Sequence, residues 1–203
     1  MLKRNFLIVL ATCGGLSGAV IYNESVSGDL SNSGLAPTAV TVASGSNQLF
    51  GTTGVGSSGV DRDYFTFTVP AGLQLVSITL LPGTVVGGAT SFIGIEAGNQ
   101  VTLPTNSATA TGLLGWWHYS TADINTDLLA KMAVPSTGSS GFTPPLGAGS
   151  YAFWVQDFNA GPLAYGFDFS LTATPEPATW LIVLGGVGLI GAAARRRRYQ
   201  SVV

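Results

Sequence analysis

Residues 63–72 read DYFTFTVPAG. In an extended chain Phe65, Phe67 and Val69 fall on one side and Tyr64, Thr66 and Thr68 on the other, because successive side chains of a strand point to opposite faces. Pro70-Ala71-Gly72 then closes the run with residues that favour turns. The same alternation recurs in residues 151–156, where Tyr151, Phe153 and Val155 oppose Ala152, Trp154 and Gln156. It recurs again in 165–172, where Tyr165, Phe167, Phe169 and Leu171 oppose Gly166, Asp168, Ser170 and Thr172. In LQLVSITLL (73–81) it sets Val76, Ile78 and Leu80 on one side. Each pattern predicts a strand with one buried and one wetted face. Glycine-rich turns such as 146–149 separate these strands. Together they predict a mainly β, antiparallel β-sandwich over residues 20–173. One short helix is expected in STADINTDLLAKMAVP (120–135), capped by Thr121 or Asp123 and closed by Pro135. Leu128, Leu129 and Met132 would form its apolar face.

The charges are sorted along the chain. Of eight Lys and Arg residues, Lys3 and Arg4 lie at one end and Arg195 to Arg198 near the other. Between them only Arg62 and Lys131 face nine carboxylates, a net of −7. A body so poor in cations has no electrostatic footprint for nucleic acid, whose binding rests on neutralised phosphates. The single cysteine, Cys13, lies in the N-terminal apolar stretch, so the body is free of disulfides and thiol nucleophiles.

Both ends carry targeting patterns. In residues 1–19 two cations precede a short apolar run, and Ser17 and Ala19 stand at the −3 and −1 positions of a cleavage site. This is the layout of a signal peptide, read by the Sec export machinery and signal peptidase. Leu10-Ala11-Thr12-Cys13 also resembles a lipoprotein box, although Thr12 is atypical before a lipidated cysteine. At the other end, residues 178–194 carry no charge and would span about 26 Å as a helix. That is slightly short of a hydrocarbon core of about 30 Å, with Trp180 and the arginines available as interfacial anchors. The basic tail 195–203 then stays in the cytoplasm by the positive-inside rule, which leaves the body outside.

Catalytic constellations are sparse. His118, in GWWHYS, is the only histidine, too few for a zinc site, and no G-x-S-x-G elbow is present. The body is therefore expected not to be an enzyme. DINTD (123–127) starts like a calcium-binding EF-hand loop, but Leu128 stands where that loop requires glycine. Calcium is a candidate cofactor at Asp61, Asp63 and Asp157, which put carboxylates on turns. The alternative is that these acids simply form turns and keep the surface soluble. Trp116, Trp117 and Trp154 are candidates for an aromatic platform that stacks on sugar rings, or else they pack between sheets.

Pro175-Glu176-Pro177-Ala178-Thr179, the apolar span and Arg195-Arg196-Arg197-Arg198 together make residues 174–203 resemble a PEP-CTERM sorting signal. The resemblance implies recognition by an exosortase, a membrane cysteine protease-transpeptidase that cuts near the Pro-Glu-Pro motif. It implies transient anchoring in the inner membrane of a Gram-negative bacterium, followed by release to the cell surface or extracellular matrix. Such bacteria often make exopolysaccharide. The motif suits proteolysis physically, because residues preceding proline are pushed out of the helical region and toward extended backbone. Residues 61–72, 147–151 and 165–171 resemble the bacterial pre-peptidase C-terminal domain, a noncatalytic jelly-roll-like sandwich usually attached to a secreted protease. No peptidase accompanies it in this sequence. The leading expectation is a noncatalytic exported protein, and the alternative is an exopolysaccharide-binding module.

Overall fold

Alternating sequence becomes nine strands in the computed structural model, which describes residues 18–88 and 90–175. Nearly all of the signal-peptide segment, together with Glu176, Pro177, the 178–194 span and Arg195 to Arg198, lies outside the described residues. The strands are β1 (Ala19–Asn23), β2 (Thr38–Ala39), β3 (Gly45–Gly56), β4 (Gly59–Val69), β5 (Leu73–Leu80), β6 (Phe92–Ala97), β7 (Gly115–His118), β8 (Gly149–Gln156) and β9 (Leu163–Ala173). A one-turn helix, α1 (Glu24–Ser27), follows β1, and a second, α2 (Leu129–Met132), precedes β8.

All nine strands join in one sheet, ordered β5-β9-β3-β4-β8-β6-β7, with β1 beside β3 and β2 beside β4. The β3–β4 hairpin is paired only at its tip, from Gly56↔Gly59 to Gly54↔Asp61. Below the tip the strands part. β3 takes β9 and β1 as neighbours, and β4 takes β8 and β2. The sheet therefore bends at this hairpin into a mainly antiparallel half-barrel with two arms. The expected sandwich is met as β architecture around a shared core, but hydrogen bonding links its arms instead of leaving two separate sheets.

The core sits between the arms. Phe65 and Phe67 of β4 and Phe153 of β8 come from one arm, and Phe167 and Phe169 of β9 from the other. Phe153 stacks on Phe65 and Phe67 at centroid distances of 5.0 and 4.9 Å. Phe169 meets Phe65, Phe67 and Phe153 steeply inclined at 5.7, 5.3 and 5.2 Å, the offset and edge arrangements that aromatic quadrupoles favour.

Three expectations are corrected. Alternation assigns Tyr64 and Trp154 to a wetted face, yet both are buried in a second cluster. Val101, Ala110 and Leu113, from the irregular segment between β6 and β7, cover that face. Along β5 the buried residues are Leu75, Ile78 and Leu80, while Val76 is only half-buried. Alternation slips there because Leu75 bridges Leu146, whereas Thr79 and Leu80 bridge Asp127 and Ile124. Finally, the expected helix divides into a 3-10 turn, Thr121–Asp123, and α2. Ser120, not Thr121 or Asp123, caps the turn, in a reciprocal pair with Asp123. Leu128, Leu129 and Met132 do supply the buried face.

Candidate functional site

Period two divides the tryptophans before any packing does. On β7, Trp116 and His118 point one way and Trp117 the other. Trp117 packs against the main core, with the Lys131 ammonium 5.6 Å from its ring centre. Trp116 faces the second cluster, and both Trp116 and Trp154 sit opposite Gly94 of β6. A Cβ at Gly94 would lie 3.0 Å from the Phe92 ring and 3.2 Å from Leu113. Glycine thus lets Phe92 settle between the two indoles. Phe92 stacks on Trp116 at 6.0 Å and meets Trp154 inclined at 5.2 Å. Trp154 stacks on Tyr64 at 5.6 Å.

Phe92, Trp116 and Trp154 floor a groove of about 280 Å³, whose lining also includes Leu103, His118 and Phe158. Trp116 is half-buried, its indole N–H donating to the Ser136 carbonyl at 3.1 Å. The expected platform of Trp116, Trp117 and Trp154 is therefore not one surface. Trp117 lies on the opposite face, and Trp154, buried, reaches the groove only at its floor. His118 is exposed and its Nδ1 lies 3.2 Å from the Ser91 carbonyl oxygen.

The candidate calcium ligands separate likewise. Asp157 is buried and accepts hydrogen bonds from Ser91 Oγ (2.5 Å), Asn159 N (2.7 Å), Asn159 Nδ2 (2.7 Å), Thr90 Oγ1 (3.1 Å) and Gly87 N (3.4 Å). Burial alone would raise its pKa. The donors from Ser91, Asn159 and Thr90 outweigh burial and hold the carboxyl below its ordinary value. Asp61 and Asp157 do not join Asp63 in a three-carboxylate group among the described residues; Glu24 and Asp29 do.

Asp63 is 0% exposed. Its Oδ2 accepts the Tyr165 hydroxyl at 2.7 Å, and its Oδ1 has no hydrogen-bond partner. Burial, and after it the neighbouring Glu24 carboxylate, push its pKa up to about 9. Tyr165 reaches this carboxyl because its register partner on β3 is Gly51. A Cβ there would stand 2.5 Å from the hydroxyl. Glu24, in the first turn of α1, accepts from Leu30 N at 3.0 Å and Thr52 N at 2.7 Å. Sequence reading misses Glu24 and Asp29. They stand more than thirty positions from Asp63, brought near by the parallel pairing of β1 with β3, and no local pattern signals such a contact. The DINTD stretch also resolves structurally: Asp123 pairs with Lys131, and Asp127 accepts from Ile78 N and Leu129 N.

β9 ends at Ala173, and Thr174 and Pro175 follow as irregular chain. The family model described as the PEP-CTERM protein-sorting motif matches residues 173–198. The chain carries a PEP-CTERM sorting motif. The PEP-CTERM motif implies exosortase-dependent sorting of an exported, surface-associated protein in a Gram-negative bacterium, with the exosortase as processing partner. The match ends with the sorting region, so the likeness of the body to the pre-peptidase C-terminal domain rests on the sequence pattern alone. No curated protein and no solved structure matches this chain. Among the described residues no helix is long and apolar enough to cross a membrane, and the 178–194 stretch lies outside them.

Proposed function

We propose that this is a noncatalytic exported protein whose jelly-roll-like body works at the cell surface or in the extracellular matrix. Signal peptidase removes residues 1–19 after Sec export. Residues 178–194 then hold the body outside the inner membrane with Arg195 to Arg198 in the cytoplasm, until the exosortase cuts near Pro175-Glu176-Pro177. The observation that carries this reading is the motif match at residues 173–198, which begins at the last residue of β9. Cutting near Pro-Glu-Pro leaves all of β9 with the body, and cutting after Ala19 leaves Val20–Asn23 of β1 to pair with β3. Among the described residues, neither cut removes one that belongs to the core. Replacing Pro175, Glu176 and Pro177 together with alanine is expected to leave an uncut, membrane-retained form in the native host. Normal processing of that variant, read by mass spectrometry of the mature C-terminus, overturns the proposal.

A second reading, exopolysaccharide binding, is favoured by Trp116, which offers the accessible part of its indole to the groove with His118 beside it at 5.2 Å. Aromatic faces at the wall of an open groove suit the apolar faces of sugar rings. Trp116→Ala is expected to lower retention on immobilised exopolysaccharide from the producing strain by about tenfold, or about 1.4 kcal/mol. Unchanged retention of a folded variant removes this reading.

A further inference from the structure

We infer that Glu24, Asp29 and Asp63 form a binding site for a hard divalent cation of the calcium class. Each residue contributes a carboxylate oxygen, and the three oxygens lie within 4.8 Å of one another. They come from three different places: the first turn of α1, the segment that follows it, and β4. Asp63 is wholly buried, and its Oδ1 is left without a partner. A buried acceptor in that condition calls for a proton or a cation.

The body supplies no cation there. Between the two targeting segments the chain has only Arg62 and Lys131. Arg62 donates through Nε to Gln156 Oε1 at 3.1 Å, and its guanidinium carbon lies 5.8 Å from the Phe158 ring centre. Lys131 is paired with Asp123. Both basic side chains are thus committed elsewhere, so no basic side chain of the body offsets the three carboxyl groups.

The donor set selects the ion. All three ligands are carboxylate oxygens, which suit hard cations, and calcium tolerates the irregular, partly hydrated coordination that three protein residues leave open. Glu24 already accepts backbone N–H groups from Leu30 and Thr52, so its carboxylate is held in place before any ion arrives. Asp29 is exposed, so it supplies the accessible ligand. A bound ion would tie the α1 region to β4, fastening the first strand of the exported body to the rest of the sheet. The site is built independently of the sorting motif and stands or falls separately from it.

The test uses the full chain in a nonionic detergent, stripped with chelator and titrated with Ca²⁺ by calorimetry. In parallel, Tb³⁺ is added and its emission sensitised through Tyr22 and Tyr165 is followed. Saturable binding of one Ca²⁺ per chain, displacement of Tb³⁺ by Ca²⁺, and a thermal midpoint that rises with Ca²⁺ are expected. Asp29→Asn, an exposed change that leaves the core intact, is expected to weaken binding at least tenfold. Asp63→Asn is expected to abolish it. No saturable binding by the folded wild-type chain overturns the inference, in which case a proton on Asp63 is the only compensation. Wild-type affinity in a folded Asp29→Asn chain overturns it equally.

Discussion

Phe153→Ala is expected to destabilise the body by about 3–5 kcal/mol, the range for truncating a fully buried aromatic ring. Phe153 is 0% exposed and lies on β8, which pairs with β4 on one side and β6 on the other. Its direct cross-strand partners are Phe65 and Ile95. Its ring also touches Phe67 and, from the other arm of the half-barrel, Phe169. Removing it opens a cavity walled by rings that are themselves fixed in strands on both arms, so the surroundings cannot collapse to fill it. Each lost ring pair adds about 0.5–1.5 kcal/mol beyond buried area. Phe158→Ala is the control: that ring is 47% exposed, and its loss is expected to cost less than about 0.5 kcal/mol. Urea unfolding of both variants measures the difference. A cost near 1 kcal/mol for Phe153→Ala would show that the aromatic contacts between arms do not hold the body together.

That ring set is legible in the sequence, because period-two alternation is a local property of the chain. Phe65, Phe67, Phe153, Phe167 and Phe169 declare their face by spacing alone, and all five are buried in one core. What alternation cannot show is whether the opposite face meets water. Tyr64 and Trp154 satisfy the same pattern as a wetted face would. They are buried because residues 101–113, which have no periodicity of their own, fold over them. The slip in β5 has a similar origin. Its two halves bridge different partner segments, near Leu146 and near 124–127, and those partners are invisible from within the strand.

The functional residues divide along the same line. The PEP-CTERM motif is contiguous, with its parts in fixed order, so sequence alone locates it and the family match confirms the location at 173–198. The carboxylates are not contiguous. Asp61, Asp63 and Asp157 group together in sequence only as acids near turns, but register decides their company. Asp63 points toward Tyr165 and the α1 region, while Asp157, just beyond the end of β8, serves the loops around residues 87–91 and 159. The tryptophans repeat the lesson within two residues, since Trp116 and Trp117 are neighbours in sequence and on opposite faces of β7.

Asp157→Ala is accordingly expected to act through loop anchoring, with a loss of about 3 kcal/mol or more at neutral pH. Two of its charge-assisted hydrogen bonds, at about 1.5 kcal/mol each, already account for that figure. The carboxylate gathers donors from Gly87, Thr90, Ser91 and Asn159. It thereby joins the segment before β6 to the loop between β8 and β9. Alanine would leave the Ser91 hydroxyl, buried with the rest of its residue, without its acceptor. The pH dependence identifies the charge as the source. The folded pKa of Asp157 is depressed, so its stabilisation is complete above the unfolded value of about 4 and disappears as pH falls through the lower folded value. The wild-type chain should therefore lose stability below about pH 4, and the gap between it and Asp157→Ala should narrow over the same interval. Thermal midpoints of both chains from neutral pH into that acid range measure the gap. A gap that stays constant into acid would mean that the side chain's shape, and not its ionised carboxylate, organises these loops.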